Sequence, residues 1–281
     1  MRFYAGAVAV GFAFIAAQPA LARNLAPLAV LPLHDQKNVG LTIDATVEGR
    51  PGQFLFDTGW GVTAVTPTVA ALIGCRPWGQ VTAFRAIGER IDAKRCNAAS
   101  FRIGEFQARA PEVLVLDVMK YLPPGTAPLS GGIGLDLFAG CTITIQSHAH
   151  RVVVESQASE AARIRNAQEV PVRPVRDAEG AALTIDVAVP TADGEAWMEL
   201  DTGNNGPTLI GNHLAEQVGL KRGLDGRQQL TMALAPRAIV KDKAFTRDLI
   251  LDGDIGRGVL DHWDLTLDLT KGKAWFTPAA D

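Results

Sequence analysis

The stretch Phe-Leu-Phe-Asp-Thr-Gly at residues 54–59 has a counterpart, Met-Glu-Leu-Asp-Thr-Gly, at residues 198–203. In both copies Asp-Thr-Gly follows a short, mainly apolar segment, and the copies lie in opposite halves of the 281 residues. One such tripeptide is common by chance, whereas two in matching places indicate two related lobes that each bring a carboxylate to a shared site. Because two close carboxylates cannot both ionise easily, the pair supplies an acid and a base from one residue type.

The sequence around each Asp-Thr-Gly is also repeated. Leu-Thr-Ile-Asp occurs at residues 41–44 and at residues 183–186, and each copy is followed by an apolar segment, a Gly-containing turn and the segment that ends in Asp-Thr-Gly. Alternating apolar and polar positions around such turns are typical of β-hairpins. The chain is therefore predicted to be mainly β, with two similar closed β lobes, few short helices and an active site between the lobes.

A looser landmark closes each half. Residues 131–138 read Gly-Gly-Ile-Gly-Leu-Asp-Leu-Phe, and we align them with residues 256–263, Gly-Arg-Gly-Val-Leu-Asp-His-Trp, through their shared Leu-Asp. This alignment puts Val259 where the first half has Gly134. It therefore predicts that the second lobe departs from the geometry of the first.

Helical signals are sparse. The best short helices are residues 67–73, where Pro67 suits a first helical turn and Gly74 a stop, and residues 210–218, which Gly219 follows.

The first residues have the pattern of an export signal. Arg2 precedes a small and apolar run at 5–17, and residues 20–22 read Ala-Leu-Ala, which fits a small-x-small cleavage site. The run is shorter than the roughly 20 apolar residues of a membrane-spanning helix. We expect an exported protein, periplasmic or extracellular, with no stable membrane span after cleavage; an uncleaved anchor is the alternative.

These features predict the organisation of the chain. A signal peptide occupies residues 1–22, and an N-terminal lobe follows at 28–157. The polar segment 158–170 lacks turn residues and is predicted to connect the lobes. The C-terminal lobe occupies residues 171–281.

Composition restricts the class of partner. The hydrophobic content of 47% supports a proper core, and the net charge of −3 gives no general attraction to nucleic acid or anionic membranes. No cysteine spacing is that of a zinc site, and no motif indicates an organic cofactor. We expect neither a metal nor a cofactor, and no nucleic-acid partner.

The three cysteines are Cys75, Cys96 and Cys141. Export would permit a disulfide. Cys75 and Cys96 lie in the same stretch of the first lobe and are the favoured pair, with three free thiols as the alternative. Cys141 heads an apolar segment and is predicted to be a small buried residue.

The two triads, the apolar residues before them and the Gly-Ile-Gly-Leu-Asp-Leu-Phe block together resemble the retropepsin-like aspartic peptidases over most of the mature chain. Retropepsins take one Asp from each of two chains, so the resemblance implies a tandem, single-chain version that does not need to dimerise. It implies Asp57 and Asp201 as the catalytic dyad, which would share the work of acid and base on a water. The residues implied to support the two loops are Thr58, Gly59, Thr202 and Gly203.

Flaps that close over the cleft are a further implication. The candidates are residues 81–91, with Gly88 at the tip, and residues 228–240, with Pro236 near the tip; ordinary surface hairpins are the alternative. Trp60 departs from the family, in which a small residue usually follows the triad, and it is predicted either to line the cleft or to obstruct it.

Two weaker motifs are interpreted as turns. The His-Ala-His sequence at 148–150 lacks further metal ligands, and the Asp-Gly-Asp sequence at 252–254 lacks the remaining positions of a calcium loop.

The function that these patterns favour is proteolysis by an aspartyl protease, a hydrolase that acts on a peptide or protein substrate. The alternative is a catalytically inactive protein on the same scaffold that binds a peptide or an envelope component.

Overall fold

The computed structural model describes residues 25–280, so the predicted signal peptide at 1–22 lies outside the described part. The chain folds into three β-sheets with a few short helices, as the sequence predicts. The strands of the first half are β1 (Ala29–Pro32), β2 (His34–Gln36), β3 (Gly40–Val47), β4 (Arg50–Phe56), β5 (Ala64–Val65), β6 (Trp78–Phe84), β7 (Arg90–Ile103), β8 (Phe106–Val115), β9 (Gly131–Ile133), β10 (Thr142–Gln146) and β11 (Arg151–Val154). Those of the second half are β12 (Gln168–Val170), β13 (Val172–Val175), β14 (Thr184–Thr191), β15 (Gly194–Leu200), β16 (Thr208–Gly211), β17 (Gln228–Ala235), β18 (Ala238–Arg247), β19 (Gly253–Ile255), β20 (Trp263–Asp268) and β21 (Lys273–Pro278).

The helices are short. The α-helices are α1 (Pro67–Leu72), α2 (Gln157–Ile164) and α3 (Arg257–Leu260). Single 3-10 turns occupy Val118–Tyr121, Leu135–Phe138, Ser147–Ala149, Ala178–Gly180 and Ala215–Val218.

Two of the sheets repeat one topology. The first-lobe sheet has the order β2-β3-β4-β9-β5-β8-β7-β6, and the second-lobe sheet has the order β13-β14-β15-β19-β16-β18-β17. Strand directions match as well, because β4 and β9 are parallel, as are β15 and β19. Every second-lobe strand therefore has a first-lobe counterpart, and β6 alone among the described strands of these sheets has none in the second lobe.

The third sheet joins the halves. Its order is β1-β11-β10-β20-β21-β12, and its centre is the antiparallel pair β10–β20, with Thr142 opposite Asp268 and Ile145 opposite Leu265. Three strands come from each half, arranged symmetrically about that pair. The predicted connection at 158–170 carries α2 and β12, so it adds an edge strand to this sheet. The lobe boundaries stay predictions.

Periodicity explains which residues are buried. In β17, Leu230, Met232 and Leu234 are buried and alternate with exposed neighbours, because successive side chains of a strand point to opposite faces. In β20, residues 265–268 are all buried, as expected for a strand whose sheet is covered on both sides.

The helix expected after the first triad is present. Thr66 caps α1 by accepting a hydrogen bond from the Val69 amide at 3.3 Å, Pro67 occupies the first turn, and Gly74 follows at φ +72°.

The helix predicted at 210–218 is wrong in its first half. Ile210 is fully buried in β16, where it pairs with Thr246 of β18, and only a 3-10 turn at Ala215–Val218 precedes Gly219. A short apolar run has the same appearance in a buried strand and in a helix, so periodicity could not separate them.

Cys75 and Cys96 form a disulfide, which confirms the favoured pairing. It ties the residue after the end of α1 to the long strand β7, with the two Cα atoms 5.9 Å apart. Cys141 is a free, partly exposed thiol.

We expect the double variant Cys75→Ser/Cys96→Ser to lower the free energy of unfolding by about 3 kcal/mol, because the bridge closes a loop of 21 residues in the unfolded chain. Urea unfolding of the oxidised protein and the variant measures the difference, with Cys141→Ser as the matched control. Equal midpoints for wild type and double variant would contradict this account.

Candidate active site

The two Asp-Thr-Gly sequences occupy equivalent places at the ends of two central strands. Asp57 follows β4 and donates its amide to the Ile133 carbonyl of β9 at 3.1 Å, whereas Asp201 follows β15 and donates to the Ile255 carbonyl of β19 at 3.0 Å. Each Asp is thus fixed by the parallel strand beside it. The Asp57 carboxyl lies against Gly203 and the Asp201 carboxyl lies against Gly59, so the two carboxyls are close together where the lobes meet.

Crossed threonines hold the two loops together. The Thr58 amide donates to Thr202 Oγ1 at 3.1 Å, and the Thr202 amide donates to Thr58 Oγ1 at 2.9 Å. The hydroxyls in turn donate to carbonyls of the opposite lobe, Thr58 to Leu200 at 2.5 Å and Thr202 to Phe56 at 3.5 Å. Both side chains are almost completely buried, so the network fixes the separation of the two loops.

The glycines of the triads are required for close approach. A Cβ atom at Gly59 would lie 2.7 Å from Asp201 Cγ, and one at Gly203 would collide with the Asp57 carboxyl. Each glycine also points its amide at its own aspartate, Gly59 to Asp57 Oδ1 at 2.9 Å and Gly203 to Asp201 Oδ1 at 2.6 Å. Any side chain here would push the two carboxyls apart.

The surroundings of Asp57 change the pKa of its carboxyl. Burial above all, then the charge of Asp201 and the hydrogen bond to it, raise the pKa of Asp57 well above its ordinary value. The charge of Glu199 raises it further, and the Gly59 amide lowers it in part. These surroundings favour the protonated form of the Asp57 carboxyl.

Trp60 lies on the first-lobe side of the site. Its indole lies over Gly132, where a Cβ atom would be 2.9 Å from the ring. It packs between the buried cluster that contains Val62 and the buried cluster that contains Leu55 and Leu129. The Trp60 side chain therefore packs against the first lobe, and whether it lines or obstructs the cleft stays a prediction.

The first predicted flap is a hairpin of β6 and β7 with Gly88 at its tip, where φ is +79°. The tip reaches the other lobe, because the Ile250 amide donates to the Ala86 carbonyl at 3.0 Å. A Cβ atom at Gly88 would lie 3.4 Å from Ile250 Cγ2. The hairpin therefore bridges the two lobes in this structure.

The second predicted flap is wrong. Residues 228–240 form the hairpin of β17 and β18, which corresponds to the β7–β8 hairpin in the body of the first lobe. The tip of this hairpin contacts β12 of the sheet that joins the halves, because Arg237 Nε donates to Gln168 Oε1 at 3.3 Å. Sequence alone shows a hairpin but not which of two consecutive hairpins faces the cleft.

A segment of the second lobe also approaches the first. The connection from β13 to β14 is longer than that from β2 to β3 and places Ala182 against Val62 and Val81. The Leu183 amide donates to the Gly61 carbonyl at 3.0 Å, next to Trp60. This segment therefore packs on the loop after the first triad.

The structure corrects the alignment of the second landmark. Strand β19 occupies the place of β9, so Gly256 corresponds to Gly134, and the expected displacement of this glycine does not occur. The alignment through the shared Leu-Asp had placed Val259 opposite Gly134, three residues after the true counterpart Gly256. The Asp-Gly-Asp sequence interpreted as a turn instead leads into β19, which lies beside Asp201.

Two acidic residues at the site were missed by the sequence analysis. Glu199 and Asp254 are directly paired between β15 and β19, and Asp254 is 3% exposed. Burial and then the charge of Asp201 raise the pKa of both carboxyls well above their ordinary values. The sequence could have indicated Glu199, because side chains two residues apart in a strand point to the same face, and Glu199 lies two residues before Asp201.

Further aspartates support the loops after the triads. Asp136 accepts hydrogen bonds from the Thr63 amide at 2.9 Å and from its hydroxyl at 2.7 Å. Asp242 does the same for Thr208 of the second lobe, at 2.9 and 2.8 Å. The two pairs of hydrogen bonds are equivalent, although Asp136 lies in the 3-10 turn Leu135–Phe138 and Asp242 lies in β18. Burial raises the pKa of Asp136 to about 6.

The histidines at 148 and 150 do not meet a metal-binding set. His148 lies 3.7 Å from Asp264 and His150 lies 3.7 Å from Asp35, in separate pairs. Across residues 25–280 no group of three or more His, Cys, Asp or Glu side chains could hold a metal ion.

Comparisons with known proteins agree with this geometry. Residues 43–137, which include the first Asp-Thr-Gly, match the family model described as aspartyl protease. No curated protein sequence matches the chain. Among solved structures, the crystal structure of Basic 7S globulin from soybean has a TM-score of 0.59 at 8% identity, over 91% of this chain and 96% of that chain. At such low identity the likeness concerns the fold alone.

We expect Thr202→Val to destabilise the fold by about 1–3 kcal/mol, because it leaves the buried Thr58 amide without its acceptor. Chemical denaturation measures the change. Thr231→Val, on an exposed position of β17, is the matched control. A loss no larger than that of the control would show that the crossed threonines do not hold the lobes in register.

We also expect stability to fall as the pH rises above about 4, the ordinary range of carboxyl groups. The raised pKa of Asp57 means that the folded state binds more protons than the unfolded state in this range, so stability is lost as Asp57 ionises. Asp57→Asn should flatten this slope and should not lower stability at pH 7. Urea unfolding between pH 4 and 8 tests this, and a steeper decline in the variant would contradict it.

Proposed function

We propose that the chain is an aspartic endopeptidase of the retropepsin-like type, because residues 43–137 match the aspartyl protease family model and the fold is similar to that of Basic 7S globulin. The observation that carries the proposal is the contact between the Asp57 and Asp201 carboxyls, each with one glycine amide as a donor. A shared proton is the general property of such dyads in this family, and the assignment follows the family in this respect.

We assign the two roles from the raised pKa of Asp57. Asp201, ionised, takes a proton from a water as the water oxygen attacks the carbonyl carbon of the substrate. Asp57, protonated, gives its proton to the carbonyl oxygen, so no charge builds up on the tetrahedral intermediate. On collapse, Asp201 returns its proton to the leaving nitrogen as the C–N bond breaks, and the hydroxyl that Asp57 protonated gives the proton back. Neither a metal nor a cofactor takes part.

The substrate that suits this cleft is an extended peptide. Strand β6 is the edge strand of the first-lobe sheet, so its outer backbone edge suits strand-like pairing with a peptide. The Ala86–Ile250 hydrogen bond joins the two lobes, and we expect it to open when a substrate enters between them. Trp60, which is partly exposed and packs on the buried Leu55 and Leu129, offers a substrate an apolar surface.

The rival proposal is a protein that binds a peptide without cleaving it. The observation in its favour is the second-lobe segment that packs on the loop after the first triad, where the Leu183 amide donates to the Gly61 carbonyl beside Trp60. The closeness of the two carboxyls favours the enzyme, because each lies against the glycine of the opposite Asp-Thr-Gly.

We propose export to the periplasm or the extracellular space. The Cys75–Cys96 disulfide is consistent with an exported protein, since disulfides persist in oxidising compartments. Within residues 25–280, no helix has the length and apolar character needed to cross a membrane.

The deciding experiment is cleavage of a mixed peptide library by the mature protein from about pH 3 to 8, which spans the titration of a coupled carboxyl pair. We expect wild type to cleave and Asp57→Asn and Asp201→Asn to lose turnover by at least about a thousandfold while staying folded. Asp225→Asn, at an exposed carboxyl, is the matched control and should cleave like wild type.

Two results would count against the enzyme. Cleavage by both dyad variants at the wild-type rate would show that another group performs the chemistry. No cleavage at any pH by folded wild type, together with retention of peptides from the library, would support the binding protein.

A further inference from the structure

The two lobes differ at the strand beside each dyad residue. In the first lobe, β9 has Gly132 opposite Leu55 of β4; in the second lobe, β19 has Asp254 opposite Glu199 of β15. Gly132 has no room for a side chain because the Trp60 indole covers it. The lobes therefore differ at two equivalent positions. The first lobe has Trp60 over Gly132, and the second has Asn204 beside Asp254.

The carboxyl of Asp254 is fixed on one side by Asn204. Asn204 Nδ2 donates to Asp254 Oδ1 at 3.0 Å, and Asn204 is itself held, because its Oδ1 accepts from the Gly206 amide at 2.8 Å. On the other side Asp254 lies close to Asp201, because the Asp201 amide donates to the carbonyl of the next residue, Ile255, at 3.0 Å, and the Asp201 carboxyl raises the pKa of Asp254 by its charge and by a hydrogen bond. With Asp254 only 3% exposed, water cannot replace this contact.

Two carboxyls in contact can form a hydrogen bond only if one of them carries a proton. Asn204 offers N–H groups to Asp254 and therefore does not take up that proton. On the dyad side, Asp201 also faces Asp57, so it lies between two other carboxyls. A central carboxylate that accepts from two protonated neighbours satisfies all three groups with one negative charge.

We propose that Asp254 is a positioning residue of the site, which in its protonated form donates a hydrogen bond to Asp201 and keeps Asp201 as the ionised member of the dyad. The inference rests on the proposed function for its catalytic consequence. It explains why the two lobes take different roles, since Gly132 gives Asp57 no such donor.

The charges around Asp254 agree with a proton at this position. Burial, followed by the charge of Asp201, raises the pKa of Asp254, and the Asn204 hydrogen bond offsets this only in part. Glu199 on the neighbouring strand is a further carboxyl, and Asp186 of β14 adds its charge to that of Glu199. The nearby cations are engaged elsewhere, Arg257 with Asp35 and Asp261 and Arg173 with Asp186.

Two substitutions separate a proton donor from a space-filling side chain. Asp254→Asn keeps an N–H donor toward Asp201 and cannot ionise, whereas Asp254→Leu has a similar shape and no donor. We expect Asp254→Asn to keep kcat within about threefold. Asp254→Leu should lower kcat about tenfold or more and move the acidic midpoint of the kcat–pH profile upward by about one unit, because Asp201 loses a donor to its charged form.

The profile of Asp254→Asn provides a second readout. On the alkaline side, wild type loses protons from both Asp57 and Asp254, so its activity should fall more steeply with pH than that of Asp254→Asn. A wild-type profile in Asp254→Leu, or a loss of kcat in Asp254→Asn as large as in Asp254→Leu, would overturn the proposal. If Asp254→Leu does not fold, the alkaline slope of Asp254→Asn decides alone, and a slope equal to wild type overturns it.

A measurement independent of cleavage keeps the two proposals apart. Carboxyl carbon NMR of aspartate-labelled mature protein follows the titration of the cluster, with the Asp201 signal identified by its absence in Asp201→Asn. Removal of a titration step coupled to Asp201 in Asp254→Asn supports the shared proton even if wild type cleaves nothing, in which case only the proposed function fails. An Asp201 titration unchanged in both Asp254 variants overturns the inference even in an active enzyme.

Discussion

The structure depends on holding two carboxyls of like charge in contact at the boundary between two lobes. Such contact is unfavourable unless the backbone is fixed from outside and one carboxyl stays protonated. The crossed hydrogen bonds of Thr58 and Thr202 provide the fixed backbone, and they are almost completely buried. Gly59 and Gly203 allow the close approach, because any Cβ atom would enter the opposite carboxyl.

The repeated fold supplies this arrangement, and the sheet that joins the lobes makes it rigid. β10 and β20 pair at the centre of that sheet, one from each half, so the relative position of the lobes is set by backbone hydrogen bonds as well as by the crossed threonines. The packing of the whole fold can then offset the unfavourable free energy of burying two like charges. Because both lobes belong to one chain, their residues around the shared site can differ, whereas two copies of one chain would carry the same residues.

The halves have diverged most where they meet the cleft. Only the first lobe has the additional strand β6 and hence a hairpin that reaches the other lobe. The first lobe has an apolar cluster around Trp60, and the second has a carboxyl-rich side with Glu199 and Asp254. Roles of acid and base need different environments, and these substitutions provide them on a symmetric framework.

The sequence by itself determined the repeat, the mainly β class, the two Asp-Thr-Gly positions and the favoured disulfide, because these depend on local patterns and on identical tripeptides. It could not determine that residues 253–255 form the strand beside Asp201, since an exposed turn and a buried acidic strand can have the same three letters. Nor could it show that Ile210 is in a strand, or that residues 228–240 face away from the cleft. These features depend on which elements pack together, so the tertiary structure alone decided them. In the same way, the free energy of ionising a buried carboxyl such as Asp254 depends on neighbours that are distant in sequence.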